Sequence, residues 1–165
     1  MNYLKAQISY VIKNSGYDPV SLSLHDNCFS VVHTTYFLRY LINPSDYDPV
    51  FNKSIRGPFS FEVWTFCHQL SRSEKKFSLS IKKYASKINL SNQHKKLISE
   101  FLSHNEDWQM MVIRIIDVYR RDINIDSDNL RNVVKSCFLL WNGWDSDYDI
   151  AFDWLRSCGV INCKE

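Results

Sequence analysis

Apolar positions recur at three- and four-residue spacing along most of this 165-residue chain, which is the pattern of amphipathic helices. Leu4, Ile8, Val11 and Ile12 share one face of a first helix, and Asn14-Ser15-Gly16 supplies its stop. From about Asp26 to Leu41, the spacing of Phe29, Val32, His33, Tyr36, Phe37 and Tyr40 predicts a second helix. Asn43-Pro44 should end it, because the residue before a proline avoids helical backbone. Residues 47–56 read as a loop or short strand. Gly57-Pro58 marks a sharp turn, with Gly57 in a conformation that a side chain would strain and Pro58 in the first helical turn. Ser60 is placed to cap a third helix with Val63, Phe66, Cys67 and Leu70 on its inward face.

The stretch Phe77-Ser78-Leu79-Ser80-Ile81 alternates strictly, as a half-buried strand does. A strand pair over about 49–56 and 77–82 is therefore expected. Helical spacing then resumes at about Asn92–His104 and Glu106–Arg120, the latter with two acids in its first turn to suit the helix dipole. The clearest stripe runs over 128–141, through Leu130, Val133, Val134, Cys137, Phe138 and Trp141, with Asp126, Ser127 or Asp128 as cap. Tyr148, Ala151, Phe152 and Leu155 form a last short helix stopped by Gly159, and Val160-Ile161 add a strand or tail. With neither an internal repeat nor a flexible linker, the reading is one mostly helical domain with a small β element.

Composition narrows the function classes. Hydrophobic residues make up 45% and charged residues 23%, enough for a packed core, and aromatics reach 15%. No apolar run has the roughly 18 residues of a membrane span, and the N-terminus has no signal-peptide pattern, so a cytoplasmic protein is expected. Five cysteines at irregular spacing without a CxxC disfavour a zinc site; Cys67 and Cys137 fall in apolar stripes and read as small hydrophobes. Charge is uneven. Residues 72–96 carry eight basic groups against Glu74 alone, net +7, whereas 97–165 hold seven basic and twelve acidic groups, net −5.

Catalytic chemistry finds little purchase. The five histidines show no metal-ligand spacing, and neither a P-loop, a dinucleotide fingerprint nor a nucleophile elbow occurs. The expectation is no catalytic residue, no metal and no cofactor. His33 and His68 lie near apolar faces and read as core or interface side chains. The run Asp145-Ser146-Asp147-Tyr148-Asp149 lacks the Gly and Glu of a calcium loop, so it reads as a solvated helix cap. Two binding surfaces stand out instead. Trp64, Trp141, Trp144 and Trp154 cannot all point inward under the helical phases above. They are either interface anchors or a second buried face. The basic segment, with Arg72, Lys75, Lys76, Lys82, Lys83 and Lys87, is either a phosphate-binding face or a solvated one.

The segments His33-Thr34-Thr35-Tyr36-Phe37-Leu38 and Ile55-Arg56-Gly57-Pro58-Phe59-Ser60-Phe61-Glu62-Val63, with a helix ending at Leu70, resemble the pattern of Panacea-domain antitoxins and related small winged-helix proteins. The sharpest shared element is Gly57-Pro58-Phe59-Ser60; His33 stands where a lysine is common in that pattern. The resemblance implies a winged-helix-like part over about 1–105, followed by a helical part over about 106–165. It also implies a non-enzymatic role, neutralising a partner protein such as a cognate toxin by direct contact. In that role Trp64, Trp141, Trp144 and Trp154 would anchor the partner, and Asp145, Asp147 and Asp149 would steer a basic one. The alternative is a winged-helix nucleic-acid-binding regulator working through the basic segment.

Overall fold

The computed structural model describes residues 2–44 and 48–164. Among them are eight α-helices: α1 (Asn2–Ser15), α2 (His25–Ile42), α3 (Phe61–Ser71), α4 (Glu74–Tyr84), α5 (Asn92–Ser103), α6 (Glu106–Tyr119), α7 (Ser127–Cys137) and α8 (Trp144–Ser157). Two of them form the centre. From Trp108 to Tyr119 every residue of α6 but Met110 is buried, and α2 is buried continuously from Val31 to Leu38. A helix apolar on all sides has to be covered on all sides. Here α1, α3 and α5 pack on α2, while α7 and α8 pack on α6. The two central helices run parallel. Ser30 Oγ donates to Gln109 Oε1 (3.4 Å) near their starts, and Tyr36 Oη donates to Asp117 Oδ1 (2.9 Å) further along.

Side-chain caps set the starts of five helices. Ser60, Ser73, Ser91, Asn105 and Asp126 each accept a first-turn N–H at the start of α3, α4, α5, α6 and α7. The mostly helical expectation holds, but the small β element and the winged-helix arrangement do not. Among the described residues no strand forms. Residues 77–82 lie inside α4, because Phe77, Ile81 and Tyr84 also satisfy helical spacing and Ser73 caps that helix onto α1. Residue 47 lies outside the described residues. The segment from Asp48 makes a turn and then one isolated antiparallel bridge, Asn52 to Phe59 (2.8 and 3.0 Å). Helix α7 stops at Cys137, short of Trp141, since Phe138 is extended and the Leu139 N–H donates to the Ile55 carbonyl (2.7 Å). Cys67 is buried as expected, but Cys137, at that helix end, is exposed. Helix α8 is longer than its apolar stripe suggests, starting at Trp144 after Gly143 in the left-handed region (φ 88°).

Gly57 joins the core to α3. Its φ is 116°, and its N–H donates to the Ser54 carbonyl (3.0 Å). The position a Cβ would take is 3.7 Å from Ile113 Cδ1 and 3.8 Å from the Arg114 side chain, ordinary contact distances. The demand for glycine therefore comes from the backbone rather than from a clash. Pro58 lies in this turn, three residues before α3, and not in the first helical turn. Beside it, the buried Arg114 donates through Nε (3.3 Å) and Nη2 (2.9 Å) to the Arg56 carbonyl, and its guanidinium covers the Phe138 and Trp141 rings (5.4 and 5.1 Å). Burial lowers its pKa to about 10, partly opposed by Asp107.

Two expected outcomes follow. Replacing Gly57 by Val forces a side chain into a left-handed conformation, which costs about 1–3 kcal/mol. Thermal unfolding should show a Tm several degrees lower, and an unchanged Tm would refute the strain. His33, also buried, is held neutral by burial and then by the Arg114 charge, with its pKa lowered to about 4. A depressed histidine contributes stability that is fully present above its unfolded pKa of about 6.5 and is lost as pH falls toward 4, up to about 3 kcal/mol. Asp48 acts lower: burial opposes ionisation, but hydrogen bonds from Arg39 and the Val50 N–H outweigh it and keep the pKa below 3.8. Denaturant unfolding between pH 7 and 4.5 should therefore show a loss of stability that His33→Leu flattens. Parallel curves for parent and variant would contradict this origin.

Candidate protein-docking groove

The sequence-predicted anchors are half-buried and spread over the molecule. Trp64 on α3 sits among His25, Phe29 and His68, with ring centroids 4.9, 5.0 and 4.7 Å away. Trp141 donates from Nε1 to Asp147 Oδ2 (2.8 Å) beneath Arg114. Trp144 lies under Arg131 (5.6 Å), and Trp154 packs on Phe37 and Trp108 (5.8 and 5.0 Å) while donating to Glu100 Oε2 (3.3 Å). No ring contact among the described residues joins any two of the four. Asp145 and Asp149 both pair with Arg131 (2.9 and 2.5 Å). Together with Asp147 they are engaged by this chain's own side chains, so their charge is partly spent before a partner arrives.

A polar chain runs between α2, α6 and the segment after Asp48. Tyr36 donates to Asp117, Arg120 Nη1 donates to the Tyr36 oxygen (3.0 Å), and Arg121 pairs with Asp117. Arg39 forks onto Asp48 (2.7 and 2.8 Å) and reaches Gln7 Oε1 (2.8 Å). Burial, then the Asp117 charge, pushes the Tyr36 hydroxyl far above its ordinary pKa, so it stays protonated. The hollow that Tyr36, Asp48, Asp117, Arg120 and Arg121 line with Phe51 and Pro58 is about 30 Å³, room for roughly one water. Such a chain ties helices together, and on its other side Gln7, Arg39 and Asp48 border a second hollow of about 170 Å³. Among the described residues, no group of three or more His, Cys, Asp or Glu is placed to hold a metal ion, and no helix is long and apolar enough to cross a membrane.

The basic residues do converge. Lys75, Lys76, Lys82 and Lys83 are exposed on α4, with Arg72 just before it and Lys87 just after. Phe77, Ile81 and Tyr84 form the half-buried side of α4, which leaves Leu79 on the opposite side, 57% exposed. Leu79 stands three residues from Lys76 and Lys82 and four from Lys75 and Lys83. All its neighbours at helical spacing are thus lysines. Lys83 and Lys87 also lie over the Tyr84 ring (5.3 and 5.4 Å).

Helix α3 turns Cys67 and Leu70 inward against α2, and its other side stays open. Along that side runs a groove made of two hollows of about 530 and 330 Å³ that share Phe66 and Gln69. At one end are Val50, Lys5 and Phe61, the last 70% exposed; at the other are Leu79, Tyr84, Lys76 and Lys83. Lys5 Nζ lies over the Phe66 ring (5.5 Å). Of these residues, sequence reasoning named only Lys76 and Lys83 as binding groups. It placed Phe66 in the core and had no role for Phe61. The signal was the extra apolar residue right after the Ser60 cap, out of phase with Val63, Cys67 and Leu70.

No protein-family model, curated protein or solved structure matches the chain.

Proposed function

We propose that this chain is a non-enzymatic protein-binding module that engages a partner directly along the groove between α1, α3 and α4. One observation carries the reading: two adjoining open hollows that share Phe66 and Gln69, in which the large apolar side chains Phe61 (70% exposed) and Leu79 (57% exposed) stand among polar ones. Large apolar side chains gathered at an open concave surface are the usual mark of an interaction site. An antitoxin-like or inhibitory role fits this surface and agrees with the Panacea-like segments at 33–38 and 55–63. The exposed edges of Trp64, Trp141, Trp144 and Trp154 extend the aromatic surface available to a large partner. A second reading is favoured by the lysine face of α4, which suits phosphate backbones. With no strand among the described residues, it rests on that helix without a wing.

The test is a peptide-library selection on the parent chain, counter-selected against Phe61→Glu/Leu79→Glu. Selected peptides should share an apolar consensus and bind the double variant at least about tenfold more weakly than the parent. Peptides that bind both proteins equally would sink the groove as the docking site. Duplex DNA bound at about 50 mM salt, with a steep salt slope, would favour the nucleic-acid reading.

A further inference from the structure

The groove's charge is one-sided, and we propose that its occupant is an acidic amphipathic helix of a partner protein, about three turns long. This rests on reading the groove as a protein-docking site. The length follows from α3, whose open side from Phe61 to Gln69 spans about 12 Å at helical rise, and from the Leu79 edge of α4 beyond it. A helix laid along it presents apolar side chains at i, i+3 or i+4, and i+7 to a hydrophobic floor. The floor here is Phe61, Phe66 and the Leu79 edge of α4. Around it stand Lys5, Lys76 and Lys83 against one acid, Glu62 at the far end. Lys5 is offset by Glu62 in the same hollow, so the uncompensated cations, Lys76 and Lys83, stand at the α4 end, and Lys75 and Lys82 add to the field beyond Leu79.

An acidic flank meets Lys76 and Lys83 at the α4 end, whereas a basic flank meets like charge there and opposite charge only at Glu62, and juxtaposed like charges exclude wrong partners more than matched ones add affinity. Nucleic acid matches the lysines but not the floor. A phosphate backbone crossing the groove would leave Phe61 and Phe66 in contact with water or charge.

The discriminating experiment uses two synthetic helical peptides with the same leucine and phenylalanine face, one flanked by glutamates and the other by lysines. Fluorescence anisotropy measures each against the parent and against Lys76→Glu/Lys83→Glu, whose replaced side chains are exposed and outside the core. The acidic peptide should bind the parent about tenfold or more tightly than the basic one, and the charge-reversed chain should invert the order. Equal affinity of the two peptides, unaffected by the reversal, would overturn the acidic partner while leaving the groove as a docking site. Failure of both synthetic peptides, with library-selected peptides still binding, would overturn it in the same way. If neither synthetic nor selected peptides bind, the docking reading itself fails. Preference for duplex DNA over both peptides, or self-association of the parent through this face, would also overturn the proposal.

Discussion

Everything in this structure depends on burying α2 and α6 side by side. Two parallel helices with continuous buried runs carry polar side chains out of water. His33 Nδ1 and Thr35 Oγ1 on α2 and Trp108 Nε1 on α6 are buried without a hydrogen-bond partner among the described residues, whereas the Asp117 carboxylate is met. Tyr36 donates to it directly, with Arg120 on the tyrosine oxygen and Arg121 on the carboxylate. Arg114 solves a related problem for the loop. It takes the Arg56 carbonyl out of solvent and lies against the backbone at Gly57, so the core adds to the turn's own hydrogen bonds in fixing the chain before α3. From that turn follow the Ser60 cap and the direction of α3. The direction of α3 in turn decides which of its faces remains open.

On the proposed reading, stability and recognition are separated in space. The charged groups near the centre are engaged, and His33 is kept neutral. The lysines, the exposed phenylalanine and the exposed leucine lie outside on α3 and α4. The charge asymmetry of the sequence acquires a location through this arrangement. Of the net +7 of residues 72–96, +5 falls on α4 and its ends, at the rim of the groove, and Lys95 and Lys96 supply the rest on α5.

Helices with a stripe and a capping residue were readable from the sequence, because spacing and caps act locally. Ser60, Asp126 and the positive φ of Gly57 all appear where chain chemistry demands them. The failure at 77–82 has a physical cause. Phe77, Leu79 and Ile81 alternate, but the contact that matters is made by Phe77, Ile81 and Tyr84 on α1. Leu79 completes the strand-like pattern only because it is on the surface. The same residue that misdirected the secondary structure is the one that marks the candidate site. The tryptophans drew attention through their size. Their half-buried places against Arg114, Arg131, Phe37 and Phe29 depend on long-range packing that no local pattern encodes.

The central claim is that the apolar side chains at the groove belong to recognition and not to folding. Equilibrium unfolding of Phe61→Ser/Leu79→Ser against the parent tests it most directly. Surface changes away from core features stay within about 0.5 kcal/mol each, so the account predicts a stability within about 1 kcal/mol of the parent, with the same denaturant dependence. A loss of about 3 kcal/mol or more would mean that these side chains hold the fold together, and it would contradict the assignment of this face to a partner.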